Sequence, residues 1–296
     1  MVPDPGSTAA RYRAAVLGSP IDHSKSPLLH RAAYRHLGID SAYTAIDVAE
    51  DGIADLVQRV RTDPGWRGLS VTMPLKAAVA QLVDTVTSPA SVLGVVNTVV
   101  VGSGVAGEAS LTGHNTDVVG VARALAGAGV TTPEHPVVLG GGGTAAAAVA
   151  GLAELGAGTV HVLVRRPAAA SDLLGVGEAL GVDVGVLEWS GAVRALQGAD
   201  VVVSTLPPRA ADPLADALDG AETGWTTAGV LLDVAYDPWP SALAACWQSA
   251  GGRVVPGLDM LLHQAVEQVL LFFPEAGGDR RGILDVMCDA VGVARR

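Results

Sequence analysis

Lysine is almost absent from this chain of 296 residues: Lys25 and Lys76 are the only two among its 19 basic residues, and the rest are arginine. A lysine is therefore a rare choice here. Positive charge is scarce altogether, with 19 Lys and Arg against 30 Asp and Glu and a formal net charge of −11. That balance excludes nucleic acid or an anionic membrane surface as the main partner, so any bound anion needs a local site. Cysteine is equally rare. Cys246 and Cys288 are too few for a disulfide framework and lack metal-ligand spacing, so they read as two buried thiols in a reducing cytoplasm, with no metal site.

Long apolar runs are missing too. A charge-free apolar stretch, Val137 to Ala153, is broken by four glycines and closed by Glu154, which excludes it as a membrane span. The first residues, MVPDPGSTAARYR, have no apolar core, so neither a secretory signal nor a transit peptide is expected. Only 17% of residues are charged whereas 49% are hydrophobic, which is the composition of a chain that folds. At this length two cores of about 150 residues each are the default expectation.

What is present alternates. A short apolar run from Ala14 leads through a Gly-Ser-Pro loop into a helical pattern from Pro27 to Leu37, with Gly38 as a stop. Extended Tyr43–Val48, helical Ile53–Val60 and the Leu69–Thr72 run repeat the theme, predicting a mostly parallel α/β sheet. A second alternation begins at Pro136, with strands expected near 137–140, 159–166, 182–187, 200–205, 230–234 and 253–255. Six strands with crossover helices describe a doubly wound dinucleotide fold. Residues 258–273 read as a long apolar helix and a last helix ends near Val293, both free to return to the first domain. The expected division is 1–114 with 257–296, and 115–256.

Gly140, Gly141, Gly142 and Gly143 follow a predicted strand and open a predicted helix, where backbone N–H groups can approach a pyrophosphate. Their spacing departs from G-x-G-x-x-G. At the end of the next strand, where an acid would bind the ribose hydroxyls of NAD, stand Arg165 and Arg166. Two guanidiniums suit a 2′-phosphate, so NADP is the expected cofactor.

Both lysines sit in loop motifs. Lys25 lies in GSPIDHSKSP between Ser24 and Ser26, hydroxyls that can converge on one carboxylate or else cap the helix at Pro27. Lys76 ends SVTMPLK just after Pro74. Asn97 in GVVNT, and Asn115 with Asp117 in HNTD, add polar groups among apolar neighbours. A lysine and a carboxylate meeting in a cleft could move a proton from an alcohol beside a nicotinamide.

Taken in order, GSPIDHSKSP, SVTMPLK, GVVNT, HNTD, GGGGTA, LLDVAYDPWP and GLDMLLHQA resemble the shikimate dehydrogenase family from about residue 16 to 265. The resemblance implies NADP-dependent interconversion of shikimate and 3-dehydroshikimate, a step toward aromatic amino acids, by a cytoplasmic monomer or homodimer. It implies that Lys76 and Asp117 are the catalytic pair, that Ser24 and Ser26 hold the substrate carboxylate, and that Thr72, Asn97 and Gln264 surround the ring hydroxyls. Tyr236 would stand near the carboxylate. Thr144, Thr205, Val234 and Gly257 join the glycines and arginines as cofactor-binding residues, with Met260 near the nicotinamide. His23, His114 and His263 are assigned supporting places.

The sequence departs from the family at three points. Ser70 stands where asparagine is usual, and its shorter side chain leaves room for a water-filled gap. Arg165, Arg166 and Pro167 keep the phosphate-binding charge without the usual threonine, and four glycines replace Gly-Ala-Gly-Gly. A neighbouring carboxylate favours an ammonium, whereas a general base takes a proton as the free amine, so Lys76 reads either as proton carrier or as electrostatic stabiliser. An NAD-preferring quinate/shikimate dehydrogenase and a non-catalytic binding protein on the same scaffold are the rival readings.

Overall fold

A computed structural model describes residues 10–104, 107–165, 170–220 and 224–296. The chain forms two compact units, one running to Ala90 and adding Val95–Asn115 and Ala265–Arg296, the other made of Ser91–Gly94 and Thr116–Gln264.

In the first unit come β1 (Tyr12–Gly18), α1 (Ser26–Leu37), β2 (Ser41–Asp47), α2 (Ile53–Thr62), β3 (Trp66–Val71), α3 (Lys76–Ala80) and β4 (Thr85–Val86). After α4 (Ala90–Leu93) follow β5 (Thr98–Gly102) and β6 (Ser110–His114). The sheet order is β2-β1-β3-β5-β6-β4. Three of its five pairings are parallel, and β5 runs antiparallel to both neighbours. The reversal follows from the connections. Both α3 and α4 are single turns, too short to serve as crossover helices, and β5 returns directly into β6. Helix α1 starts with Pro27 in its first turn and stops at Gly38, whose φ of 65° suits a left-handed C-terminal cap.

The second unit contains α5 (Asp117–Gly127), β7 (Pro136–Leu139), α6 (Gly143–Glu154), β8 (Thr159–Val164), α7 (Ser171–Leu180) and β9 (Asp183–Glu188). It continues through α8 (Ala192–Gln197), β10 (Val201–Ser204), α9 (Asp212–Asp219), β11 (Val230–Asp233), α10 (Ala242–Ser249) and β12 (Arg253–Pro256). All pairings are parallel in the order β12-β11-β10-β7-β8-β9. This is the doubly wound order expected from the sequence, with the reversal of direction falling between β7 and β10. Its central strands are runs of buried Val and Leu, as helices on both faces demand.

Helix α11 (Gly257–Phe272) begins in the second unit and, from Ala265, belongs to the first, followed by α12 (Arg280–Val291). Its last turn lies against β3, where a Cβ at Gly68 would overlap the Phe272 ring. Glycine at that position lets helix and sheet close. Helix α12 packs on α1, so the closing helices do return to the N-terminal sheet. Among the described residues no helix is long and apolar enough to cross a membrane.

Candidate active site

In the first unit the C-terminal ends of β1, β3 and β6 and the start of β5 share one edge, because Val16 pairs with Ser70, Ser70 with Thr98 and Thr98 with His114. The polar motifs emerge from that edge. Backbone bonds knit them together: Thr72 N–H donates to Leu17 O (2.9 Å), Ser19 N–H to Met73 O (3.2 Å), Val71 N–H to Asn97 O (2.7 Å) and Asn97 N–H to His114 O (3.1 Å). Lys76, half-buried in the first turn of α3, is tied in by its own carbonyl, which accepts from Val96 N–H at 3.0 Å. Asn115 donates through Nδ2 to Val95 O at 3.1 Å. Six of the motif positions read from the sequence, Ser24, Ser26, Thr72, Lys76, Asn97 and Asn115, therefore belong to one rim.

The serines are not helix caps. Helix α1 takes no side-chain cap; Ser24 Oγ instead accepts from Ser26 N–H at 3.3 Å, and the buried Ser26 is hydrogen-bonded through its side chain to Tyr43. Tyr43 in turn donates to Ser70 Oγ at 2.7 Å, and Ser70 donates to Gln268 Oε1 at 2.7 Å. Ser70, expected from its shorter side chain to leave a gap, is 4% exposed, and its Oγ is shared between the Tyr43 hydroxyl and Gln268 Oε1. Burial raises the Tyr43 pKa well above the usual tyrosine range, and burial lowers that of His30, which stacks on Tyr43 at 3.9 Å, to about 3. His30 is thus neutral. His114 is also pushed down by burial, with Nδ1 2.9 Å from Thr87 Oγ1, and His23 is exposed.

In the second unit Asp117 is the first residue of α5 and 6% exposed, placed at the positive end of the helix dipole. The preceding Thr116 donates to Gln264 Oε1 at 3.3 Å, and Gln264 Nε2 donates to Leu261 O at 2.9 Å. Helices α5 and α11 cross closely: a Cβ on Gly120 would lie 2.8 Å from Met260 O and 3.2 Å from Gln264 Cβ. That crossing sets Met260 and Gln264 against the start of α5, the helix that Asp117 opens.

At the switch point of the second sheet, Gly140 has a φ of 116°, and an added Cβ would overlap Thr205 Oγ1. Only glycine fits. Thr205 closes the other side, with its N–H and Oγ1 both bonded to Leu139 O at 2.9 and 2.8 Å. Gly142 caps α6 in extended conformation without a side-chain acceptor, and a Cβ there would meet open space. An uncapped helix start, reached through a chain that needs glycine, fits a bound pyrophosphate. Thr144 stands in that first turn and Arg165 is exposed just past β8, while Arg166 lies outside the described residues. After β11, Val234 O would clash with a Cβ on Gly257, so these two backbones meet at the start of α11. Buried Asp233, its pKa raised by burial, accepts from Ser241 Oγ at 2.5 Å and from Ala235 N–H at 3.3 Å, shaping the loop that carries half-buried Tyr236. Burial, aided by the Asp237 charge, raises the Tyr236 pKa.

The residues that sequence reasoning missed are all buried: His30, Tyr43, Thr98 and Gln268 behind the rim of the first unit, and Thr116 and Asp233 in the second. One signal was available for some of them. His30 and Gln268 are polar residues at apolar positions of otherwise periodic helices.

Comparison with known proteins shows what the chain is similar to. Residues 16–99 match the shikimate dehydrogenase substrate binding domain. Over 271 residues, covering 88% of this chain and 90% of the relative, the sequence is 37% identical to a shikimate dehydrogenase (NADP(+)) of Methylobacterium radiotolerans. The crystal structure of Mycobacterium tuberculosis shikimate dehydrogenase is similar with a TM-score of 0.80 at 40% identity, covering 94% of this chain and 99% of that one. A shikimate 5-dehydrogenase from Thermus thermophilus, solved with NADP(H) and shikimate, matches with a TM-score of 0.76 at 29% identity, covering 94% and 99%.

Proposed function

The chain belongs to the shikimate dehydrogenase family, and we infer that it is an NADP-dependent oxidoreductase interconverting shikimate and 3-dehydroshikimate. The observation that carries the reading is the rim itself. One sheet edge gathers two serine hydroxyls, a threonine, a half-buried lysine and two asparagines in a chain that otherwise avoids lysine. Ser24 and Ser26 are suited to a carboxylate and Thr72, Asn97 and Gln264 to ring hydroxyls, with Tyr236 toward the carboxylate end.

In this reading Lys76 and Asp117 are the catalytic pair. The C3 hydroxyl gives its proton to the Lys76 amine as the C3–H bond yields a hydride and the C–O bond becomes a carbonyl; in reverse, the ammonium returns the proton. NADP, when bound, supplies the hydride acceptor. Gly140 to Gly143 and Thr144 would hold its pyrophosphate, Arg165 and Arg166 its 2′-phosphate, and Thr205, Val234, Gly257 and Met260 the nicotinamide end. Asp117, fixed at a helix start, is the carboxylate of that pair. We place this chemistry in the cytoplasm, carried out by a monomer or a homodimer.

Initial rates with shikimate and quinate, each with NADP and with NAD, test the assignment. Turnover is expected to be fastest with shikimate and NADP. A preference for quinate with NAD would replace it with the rival specificity, and no turnover with any pair would remove the enzymatic reading.

A further inference from the structure

Behind Asn97 lies a buried chain of hydrogen-bonded polar side chains, and these bonds set one another's direction. His30 cannot carry charge, so its Nε2 can donate a single proton, to Gln268 Oε1 at 3.2 Å, leaving Nδ1 to accept from Tyr34 at 3.4 Å. Gln268 Oε1 also accepts from Ser70, so its amide nitrogen must face the other way. It does: Gln268 Nε2 donates to Thr98 Oγ1 at 3.0 Å and to Asn97 O at 3.3 Å, one bond for each hydrogen. With an N–H aimed at its oxygen, the Thr98 hydroxyl has its own hydrogen left to donate, and the acceptor is Asn97 Oδ1 at 2.7 Å. Thr98 is fully buried and Asn97 and Gln268 are each 2% exposed, so water does not compete for these bonds.

We propose that Gln268 and Thr98 are positioning residues that lock the Asn97 side-chain amide with Oδ1 turned inward onto Thr98, so that it meets substrate through the Nδ2 donor. The proposal rests on the reading above in which Asn97 binds a ring oxygen of shikimate. A locked donor suits an oxygen in both oxidation states, since a hydroxyl and a carbonyl each accept. An amide free to flip would present an acceptor half the time, and a ketone has no hydrogen for it. Gln268 acts at one remove, reaching Asn97 through its backbone carbonyl and through Thr98.

The test is steady-state kinetics on Thr98→Val, which keeps the shape and removes the hydroxyl, on Thr98→Ser, which restores it, and on Gln268→Met. Tyr34→Phe, which cuts the far end of the network beyond His30, controls for simple loss of stability. The expected result is a KM for shikimate raised about 10-fold in Thr98→Val and Gln268→Met, with the KM for NADP unmoved and Thr98→Ser close to wild type. If Thr98→Val melts early like Tyr34→Phe yet keeps the wild-type KM for shikimate, the network is structural and the positioning role is wrong. Asn97→Ala separates the two layers: a raised KM there beside a normal one in Thr98→Val overturns positioning alone, whereas a normal KM in Asn97→Ala overturns the substrate-binding premise and the proposal with it. Should Gln268→Met fail to fold, Gln268→Glu, whose carboxylate cannot donate to Thr98, carries the same expectation.

Discussion

The two sheets solve their tasks with different materials. Behind the rim of the first sit aromatic rings and hydrogen-bonded polar side chains, with His30, Tyr34, Tyr43, Ser70 and Gln268 all buried. The interior of the second is largely Val, Leu and Ala, and its conspicuous features are backbone: a left-handed Gly140, an uncapped α6 and a glycine at the head of α11. The contrast matches the ligands proposed for each. A ring carrying several hydroxyls is distinguished by oriented side-chain donors and acceptors, while a pyrophosphate is held by any correctly aimed row of N–H groups. Changes in the first unit should therefore act by deleting a side-chain atom, and changes in the second by adding one.

The largest effect belongs to Lys76. Lys76→Ala should lower kcat by about 100-fold or more if the amine carries the proton, with a much smaller rise in KM for shikimate. A kcat within a few-fold of wild type would assign the lysine to electrostatics or binding alone.

Gly140→Ala tests the opposite half of the comparison by adding a single methyl group. At a φ of 116° with Thr205 Oγ1 in the way of the new Cβ, strain of about 2 kcal/mol is expected. Titration should show NADP affinity reduced roughly 30-fold with shikimate-rim residues unaffected. Gly142→Ala, where the new atom meets open space, should cost far less. Equal losses at both positions would mean that glycine is needed there for something other than room.

What could be read from the sequence divides along the same line. In the second unit the alternation of Val-rich strands with helices, and the glycines between β7 and α6, are local signals, and they mark all six strands. In the first unit the short motifs located the rim, but the antiparallel turn of β5 did not announce itself, because single-turn helices leave no periodicity. The polar residues behind the rim escaped for a related reason. Gln268 lies 198 positions from Ser70 and 171 from Asn97, and no window of sequence holds such a network together.

The buried network predicts its own pH dependence. His30 has a pKa near 3 in the folded chain against 6.5 when exposed, so between those values the unfolded chain binds a proton that the folded chain refuses. The contribution to stability is complete above pH 6.5 and is lost as pH falls toward 3, by about 2 kcal/mol at pH 5. Denaturant midpoints at pH 7 and pH 5 should drop more for wild type than for His30→Gln, and an identical drop would show that carboxylates alone set the slope. No counterpart is expected in the second unit's cradle, whose groups are backbone N–H.

The smallest effect is expected where the proposed cofactor cradle of the second unit uses side-chain charge. Arg165 is exposed at the end of β8, so its attraction for a 2′-phosphate is screened by solvent and salt, unlike the bonds inside the rim. Replacing Arg165 and Arg166 together by alanine should weaken NADP about 10-fold, leave NAD nearly unchanged, and make the residual preference for NADP less sensitive to ionic strength. Equal losses for the two cofactors would place the arginines away from the phosphate. A loss of about 1000-fold would break the comparison itself, since it would mean that a guanidinium in the second unit is as sequestered as the amides of the first.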